Sequence, residues 1–276
     1  MGHDALTPAQ DQTLTPLALP WEPKALRRRN HILLLEGITV VFDGFLALNN
    51  LNLALREGEL RCVIGPNGAG KTTMMDVITG NIRPTRGEAW YRDDVNLLEA
   101  DEVAINLAGL SRKFQKPSVF ESLTVAQNLE LALKARKSVF STLFARLSGE
   151  EADFLGQTLE LVNLAERKNQ LAGSLSHGQK QWLEIGVLLA QKPKLLLLDE
   201  PVAGLTVKEI DRTSELLLSL EGRHSLIVVE HDMSFVRSIA RKVTVLRQGS
   251  VLAEGTMDEI SCHPGVVEAY LGGEAC

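Results

Sequence analysis

Short apolar segments recur in the early part of the chain and predict strands. Leu33–Phe42 is mostly apolar, and Leu51, Leu53 and Leu55 alternate with other residues at the period of a half-buried strand. Leu60–Ile64 is a short apolar run, which favours a fully buried strand. We therefore expect three strands before residue 65.

The last third of the chain alternates between strand and helix patterns. The predicted strands are Leu195–Leu198, Leu226–Val229 and Val243–Arg247, and the predicted helices begin at Gly178, Val207 and Met233. Strands that are apolar throughout and alternate with helices are typical of a parallel sheet covered on both faces. The pattern therefore predicts an α/β fold.

The middle of the chain is predicted to be helical. Two residue pairs match the capping box, in which a Ser or Thr and a Glu or Gln three positions later satisfy each other's backbone N–H groups. The pairs are Thr124 with Gln127 and Ser148 with Glu151. We expect a helical insertion over about residues 116–185.

The N-terminal segment has a different composition from the rest. Residues 1–30 contain several prolines and little periodicity, which favours a disordered tail. The expected organisation is this tail followed by one domain over residues 31–276, with the helical insertion inside it.

Composition and charge exclude several classes of protein. The chain has 276 residues and a formal net charge of -6, without the basic footprint usual for nucleic-acid binders. Its three cysteines lack metal-ligand spacing, which favours a reducing compartment. No apolar run approaches the roughly 18 residues of a membrane span, and the N-terminus does not resemble a signal peptide. We expect an intracellular protein that binds no nucleic acid.

A phosphate-binding loop follows the strand Leu60–Ile64 and precedes a predicted helix over Lys71–Thr79. The loop reads Gly65-Pro66-Asn67-Gly68-Ala69-Gly70-Lys71-Thr72-Thr73 and fits G-x-x-x-x-G-K-[ST] in the required context. Its glycines let backbone N–H groups surround phosphate oxygens, and the helix N-terminus adds partial positive charge. Lys71 is expected to bind the β- and γ-phosphates, and the Thr72 hydroxyl to bind Mg²⁺. The loop predicts ATP and Mg²⁺ as ligands.

Two carboxylates, Asp199 and Glu200, follow the apolar run Leu195–Leu198. In open α/β sheets, ligands bind at the carboxyl ends of the strands. Asp199 suits the coordination shell of Mg²⁺, and Glu200 is placed to polarise an attacking water. Two acids at a strand end are usually solvated loop residues, but the phosphate loop upstream favours the catalytic interpretation.

The segment Leu175-Ser176-His177-Gly178-Gln179 resembles the signature motif of ATP-binding-cassette ATPases, which usually reads Leu-Ser-Gly-Gly-Gln. Other markers of the family follow in order over about residues 31–276. Phe42 matches the aromatic that stacks on adenine, Gln115 the Q-loop glutamine near Mg²⁺, and His231 the switch histidine at the γ-phosphate. The resemblance implies a phosphate-loop ATPase core with an antiparallel β subdomain and a helical subdomain.

The resemblance also implies an assembly. Two such domains meet head to tail, and each ATP lies between the phosphate loop of one and the signature motif of the other, here Ser176, Gly178 and Gln179. The expected partners are transmembrane permease chains and a second ATPase subunit, either a copy or a paralogue. An extracytoplasmic substrate-binding protein is expected to act indirectly. The expected location is the cytoplasmic face of the inner membrane.

Two residues depart from the family pattern. His177 replaces the usual glycine of the signature motif, and we expect it to face the dimer seam or solvent. Thr206 stands where the family often has Asp, or Asn in its branched-chain amino-acid members. Because threonine carries no charge, coupling across the dimer at this position is not supported.

Several functions are compatible with these motifs. The run Leu175–Glu184 is similar to that of urea-type subunits, which favours an ATPase for urea import. The alternatives are a branched-chain amino acid importer ATPase and a cassette ATPase outside transport, in DNA repair or translation. An enzyme that makes a small product from ATP is a further rival, but nothing in the sequence resembles a second substrate pocket.

Overall fold

The computed structural model describes residues 31–92, 94–113, 119–135 and 147–270. Its strands are β1 (Leu33–Phe42), β2 (Phe45–Leu55), β3 (Leu60–Ile64), β4 (Arg86–Tyr91), β5 (Val95–Asn96), β6 (Leu110–Lys113), β7 (Leu195–Asp199), β8 (Ser225–Val229), β9 (Lys242–Arg247) and β10 (Ser250–Gly255). Its helices are α1 (Lys71–Ile78), α2 (Glu102–Leu107), α3 (Val125–Ala135), α4 (Gly149–Leu161), α5 (His177–Ala190), α6 (Val207–Leu220), α7 (Met233–Ile239), α8 (Met257–Ser261) and α9 (Pro264–Tyr270). The predicted tail over residues 1–30 lies outside the described residues.

The central sheet has six strands in the order β10-β9-β3-β8-β7-β6. Strands β9, β3, β8, β7 and β6 run parallel, and β10 pairs antiparallel with β9 at one edge. The predicted parallel sheet is therefore confirmed, with one antiparallel edge strand added. Since β3 and β7 are parallel, the loop after β3 and the residues after β7 lie at the same edge of the sheet.

The second sheet is antiparallel, with the order β2-β1-β4-β5. The turn Asp43-Gly44 joins β1 to β2, and both residues have positive φ, 46° and 86°. Turns of this kind match the right-handed twist of a hairpin, and an Asp-Gly pair tolerates that conformation. This sheet confirms the implied antiparallel subdomain. From the sequence we also expect a loop over residues 83–87, which is wrong in part, because β4 already begins at Arg86.

Alternate side chains of the parallel strands enter two different cores. In β7, Leu196 and Leu198 pack in one core with residues of helices α3 to α8. Leu195 and Leu197 pack in the other, with the antiparallel sheet and α1. Both faces of the strand are buried, which explains why its sequence is apolar throughout rather than alternating.

The helical insertion packs against the same core as the sheet. The capping box at α4 is formed, since Ser148 Oγ accepts from Glu151 N and Glu151 Oε2 from Ser148 N. The box of Thr124 with Gln127 is also formed, at the start of α3. Helix α5 begins one residue earlier than predicted and crosses the expected limit at residue 185. The limits of the helical subdomain therefore stay a prediction.

Membrane-spanning helices were not expected from the sequence. Of the helices in the described ranges, none combines the length and apolar character needed to cross a bilayer.

Candidate functional site

A cavity of about 380 Å³ lies at the edge of the central sheet where β3 and β7 end. Its lining residues come from the start of β2, the phosphate loop and the ends of β7 and β8. They are Phe45, Ala47, Asn67, Gly68, Ala69, Gly70, Lys71, Thr72, Thr73, Asp199, Glu200 and Val229. The structure thus brings the predicted loop and the two predicted carboxylates together around one space.

The loop needs glycine at both of its ends. A Cβ on Gly65 would lie 2.6 Å from the carbonyl oxygen of Leu246 in β9. Gly70 has φ +101°, and a Cβ there would lie 2.7 Å from Leu48 Cδ2. Gly70 is also the N-cap of α1 and has no side chain to accept the first N–H groups of that helix. Those donors are therefore available to an anion such as a phosphate.

The Lys71 ammonium lies over the loop itself. Its Nζ donates to the carbonyl oxygens of Gly65 at 2.6 Å and Pro66 at 3.1 Å. Partial burial lowers the pKa of Lys71, whereas the carboxylates of Glu200 and Asp199 act in the opposite direction. This places a cation beside the N-terminus of α1, where an incoming phosphate would lie.

Asp199 is fixed by an arginine that the sequence analysis did not single out. Arg112 in β6 lies 3.4 Å from Asp199 Oδ2 through Nη2 and 2.5 Å from Asp76 Oδ1 in α1 through Nη1. Burial raises the pKa of Asp199, and Arg112 opposes that rise. Arg112 therefore links the helix of the phosphate loop to the end of β7. The sequence offered no signal for it, because β6 itself was not predicted.

Glu200 and His231 lie side by side after adjacent strands. Glu200 has φ +46°, and its backbone N–H donates to the carbonyl oxygen of Val229 at 2.9 Å. This bond holds the turn after β7 against β8. The carboxylate Oε1 of Glu200 lies 3.4 Å from His231 Nδ1, and both side chains are open to solvent. The structure thus places the two residues together, and their predicted roles in hydrolysis stay predictions.

Phe45, rather than Phe42, lines the cavity. The two aromatics are cross-strand partners at the β1–β2 turn, and their exposed fractions are 66% and 44% respectively. A large apolar face left exposed at the mouth of a polar cavity is available for stacking. The contact of Phe42 with adenine stays a prediction, and the lining makes Phe45 a second candidate for it.

The signature residues form the start of α5, outside the lining of the cavity. Ser176 is the N-cap, and its Oγ accepts from Gln179 N while Gln179 Oε1 accepts from Ser176 N. Gly178 is buried against the Glu209 side chain, which a Cβ would meet. The N-terminus of α5 is therefore pre-formed and lies at the surface, away from the phosphate loop of its own chain.

The two departures from the family pattern both have partners within the chain. His177 is exposed, as expected, and its Nε2 lies 3.2 Å from the carbonyl oxygen of Ala203. Gln181 Nε2 donates to that oxygen and lies 3.0 Å from His177 Nε2. Glu209 Oε2 accepts from the Thr206 hydroxyl at 2.8 Å and from the Thr206 backbone N–H at 2.9 Å, at the start of α6. The contacts with Ala203 connect the signature helix to the segment that follows Glu200.

The donors at the cavity fit a magnesium ion. Thr72 and Asp199 both line it and offer a hydroxyl and a carboxylate, the oxygen donors that Mg²⁺ prefers. Magnesium usually completes its shell with phosphates and water, so two protein donors are enough. Gln115, the third predicted ligand, lies outside the described residues, and its role stays a prediction.

A second residue missed by the sequence analysis lies behind this site. Glu230 follows β8, and its side chain is 1% exposed. The signal was a carboxylate directly before His231, but a sequence cannot show whether such a group is buried or solvated.

Matches to known proteins agree with this geometry. Residues 48–203 match the family model of the ABC transporter, and residues 250–276 match that of the branched-chain amino acid ATP-binding cassette transporter. The high-affinity branched-chain amino acid transport ATP-binding proteins LivG of Salmonella typhimurium and BraF of Pseudomonas aeruginosa are each 38% identical to this chain over 251 residues. Each match covers 87% of this chain and 98% of the relative.

The fold has counterparts among solved structures. The ADP conformation of an ATP-binding cassette of an ABC transporter superposes with a TM-score of 0.77 at 28% identity, covering 88% of this chain and 99% of that one. A dimeric bacterial ABC transporter cassette superposes with a TM-score of 0.70 at 28% identity, covering 82% and 98%. The chain belongs to the ABC transporter ATPase family and is an ATP-binding subunit of an ABC transporter.

Proposed function

We propose that this subunit hydrolyses ATP to drive the import of branched-chain amino acids. The observation that carries the proposal is the near full-length similarity to LivG and BraF, together with the match of residues 250–276 to the branched-chain family model. The hypothesis of urea import rested on the short run Leu175–Glu184 around the signature motif. Similarity along the whole chain is the stronger argument, and it favours the branched-chain alternative.

The residues of the cavity suggest how hydrolysis proceeds. ATP phosphates lie along the loop and the N-terminus of α1, with Lys71 on the β- and γ-phosphates. Thr72 and Asp199 would hold Mg²⁺, which would neutralise phosphate charge. Glu200 takes up the proton of the attacking water, and His231 lies beside it at 3.4 Å to contact the γ-phosphate.

The composite site requires a second cassette. In this proposal Ser176 and the N–H groups at the start of α5 face the ATP held by the partner's phosphate loop, another helix N-terminus used for an anion. The location of this helix end at the surface, outside the chain's own cavity, supports this assignment. The partner is a second copy or a paralogue.

The permease chains are proposed to contact the region near residue 115. Phe120, next to that region, exposes more than half of its surface although it is aromatic. Exposed aromatic residues are typical of contact surfaces. In this arrangement the subunit works at the cytoplasmic face of the membrane, and the substrate-binding protein acts on the other side.

Uptake in cells separates the candidate substrates. Cells that lack this chain receive either the wild type or Glu200→Gln, and import of labelled leucine and labelled urea is measured. We expect the wild type to restore leucine import, and Glu200→Gln to fail. Restored urea import without leucine import would establish the urea reading. Restoration of neither, with ATP hydrolysis intact, would favour a cassette ATPase outside transport.

A mixing experiment tests the composite site. Lys71→Ala and Ser176→Arg chains should each fail as symmetric dimers. In a mixed dimer one interface is intact and the other carries both lesions, so part of the ATPase activity should return. The experiment is repeated with one substitution in this chain and the other in a paralogue. This version tests the case in which the natural dimer contains two different subunits. Activity that survives Ser176→Arg in every pairing would remove the signature motif from the mechanism.

A further inference from the structure

A buried carboxylate behind the candidate catalytic pair has no role in the mechanism so far. Glu230 follows β8 directly and has 1% of its surface exposed. Burial raises the pKa of this carboxyl, while hydrogen bonds from backbone N–H groups oppose the rise. Removing a carboxylate from water is unfavourable unless hydrogen bonds or a cation compensate. Burial of the Glu230 carboxylate is therefore not explained by a gain in the stability of the fold, and a role in function is the alternative explanation.

Each oxygen of Glu230 is bound to a different loop. Oε1 accepts from the backbone N–H of Val202 at 3.2 Å, in the turn after Glu200. Oε2 accepts from the backbone N–H of His231 at 3.1 Å. The backbone N–H of Glu230 in turn donates to the carbonyl oxygen of Val63, just before the phosphate loop. One side chain thus connects both loops that carry the catalytic pair.

The turn after Glu200 needs such a support. Glu200 has φ +46°, a conformation that costs a non-glycine residue free energy and persists only where the surroundings fix it. The bond from Glu200 N to Val229 O fixes the start of the turn. The bond from Val202 N to Glu230 fixes the next part of it, on the side facing the His231 loop.

We propose that Glu230 is a positioning residue that sets the distance between Glu200 and His231 for ATP hydrolysis. The inference rests on the proposed roles of those two residues. Glu230 does not line the cavity, so it acts through them and not on the nucleotide. Gln at this position keeps one acceptor oxygen but directs an NH₂ group at the other N–H donor. One of the two loops then loses its anchor.

The test compares Glu230→Gln with Glu184→Gln. Glu184 in α5 is a matched buried carboxylate, 2% exposed, and it pairs with Lys113; neither residue lines the cavity. Because a small misplacement of a reacting group can cost up to about 100-fold in rate, we expect kcat to fall roughly 10- to 100-fold in Glu230→Gln. ATP affinity should be unchanged. Glu184→Gln should keep kcat per folded molecule, with the folded fraction measured by ATP-binding capacity.

Two further readouts distinguish positioning from a general loss of structure. In single-turnover assays Glu230→Gln should add little to the defect of Glu200→Gln, since residues that act as a unit are not additive. The amide hydrogens of Val202 and His231 should exchange faster in Glu230→Gln and not in Glu184→Gln. If Glu230→Gln does not fold, the shorter Glu230→Asp is used, and the same fall in kcat is expected.

Wild-type kcat in a folded Glu230 variant overturns the inference. So does a fall in kcat that Glu184→Gln reproduces, or one that adds fully to the Glu200→Gln defect. Normal hydrolysis by Glu200→Gln itself would instead overturn the proposed catalytic site. The failure of this inference is therefore distinguishable from the failure of the proposed function.

Discussion

Polar groups are held in different ways on the phosphate-loop side of the molecule and at the signature helix. Beside the phosphate loop, Asp199, Arg112 and Glu230 are held by ion pairs and backbone hydrogen bonds in the interior. At the start of α5, Ser176 and Gln179 satisfy each other at the surface. The first region is organised by long-range packing and the second by a local motif.

This difference indicates what each region can do alone. The phosphate-loop side encloses a cavity, so it can bind a nucleotide within one chain. The signature helix presents capped backbone at the surface and lines none of that cavity. Substitutions in the first region should therefore affect the isolated subunit, and those in the second should affect the assembled transporter.

The largest expected effect is on catalysis in the first region. Glu200→Gln should keep ATP binding but lower turnover by about 10²- to 10⁴-fold, the range for loss of a positioned base. Lys71→Ala should also weaken nucleotide binding. Phosphate release measures turnover, and nucleotide titration measures binding. Glu215→Gln on the surface of α6 is the control, and near-normal hydrolysis by Glu200→Gln would contradict the assignment.

The next effect concerns the link between the two regions. Lys113 Nζ in β6 lies 3.3 Å from Glu184 Oε2 in α5, and both side chains are buried. Lys113→Met removes the cation from this buried ion pair, which should cost about 3–5 kcal/mol of unfolding free energy. Urea denaturation measures this cost. Lys113→Met with Glu184→Met should recover most of it, and equal losses in the single and double variants would contradict the pairing.

A smaller effect is expected at the mouth of the cavity. If adenine stacks on Phe45, Phe45→Ala should lose about 1–3 kcal/mol of binding, roughly 5- to 150-fold in ATP affinity. Phe42→Ala is the matched control and should lose less, because Phe42 does not line the cavity. Equilibrium binding of a fluorescent ATP analogue compares the two. A larger loss in Phe42→Ala would restore the original prediction for that residue.

The smallest effect on the isolated chain is expected at the signature helix. Ser176→Ala removes an N-cap and should cost about 0.5–2 kcal/mol of stability without changing ATP binding. Thr256→Ala removes the equivalent cap of α8 and is the matched control. Thermal unfolding should show similar losses in both. In the assembled transporter, Ser176→Ala should lower ATP hydrolysis and Thr256→Ala should not; equal activities would contradict the comparison.

Local patterns predicted some elements better than others. The strand Leu60–Ile64 and the start of α6 at Val207 have the predicted limits, because an apolar run and a helix start are local signals. Strand β6 was missed because Arg112 and Lys113 give it a polar sequence. Both side chains are buried and form ion pairs with residues far away in the sequence. The sequence around β6 therefore gives no indication that these charged residues lie in the interior.

The sequence by itself determined the phosphate loop, the two carboxylates at the end of β7 and the capping boxes, since each depends on neighbours within a few residues. The tertiary structure decided that Phe45 rather than Phe42 reaches the cavity, that Arg112 holds Asp199, and that Glu230 is buried. Those outcomes depend on which strands pair and which side chains lose water, and both follow from contacts between distant parts of the chain.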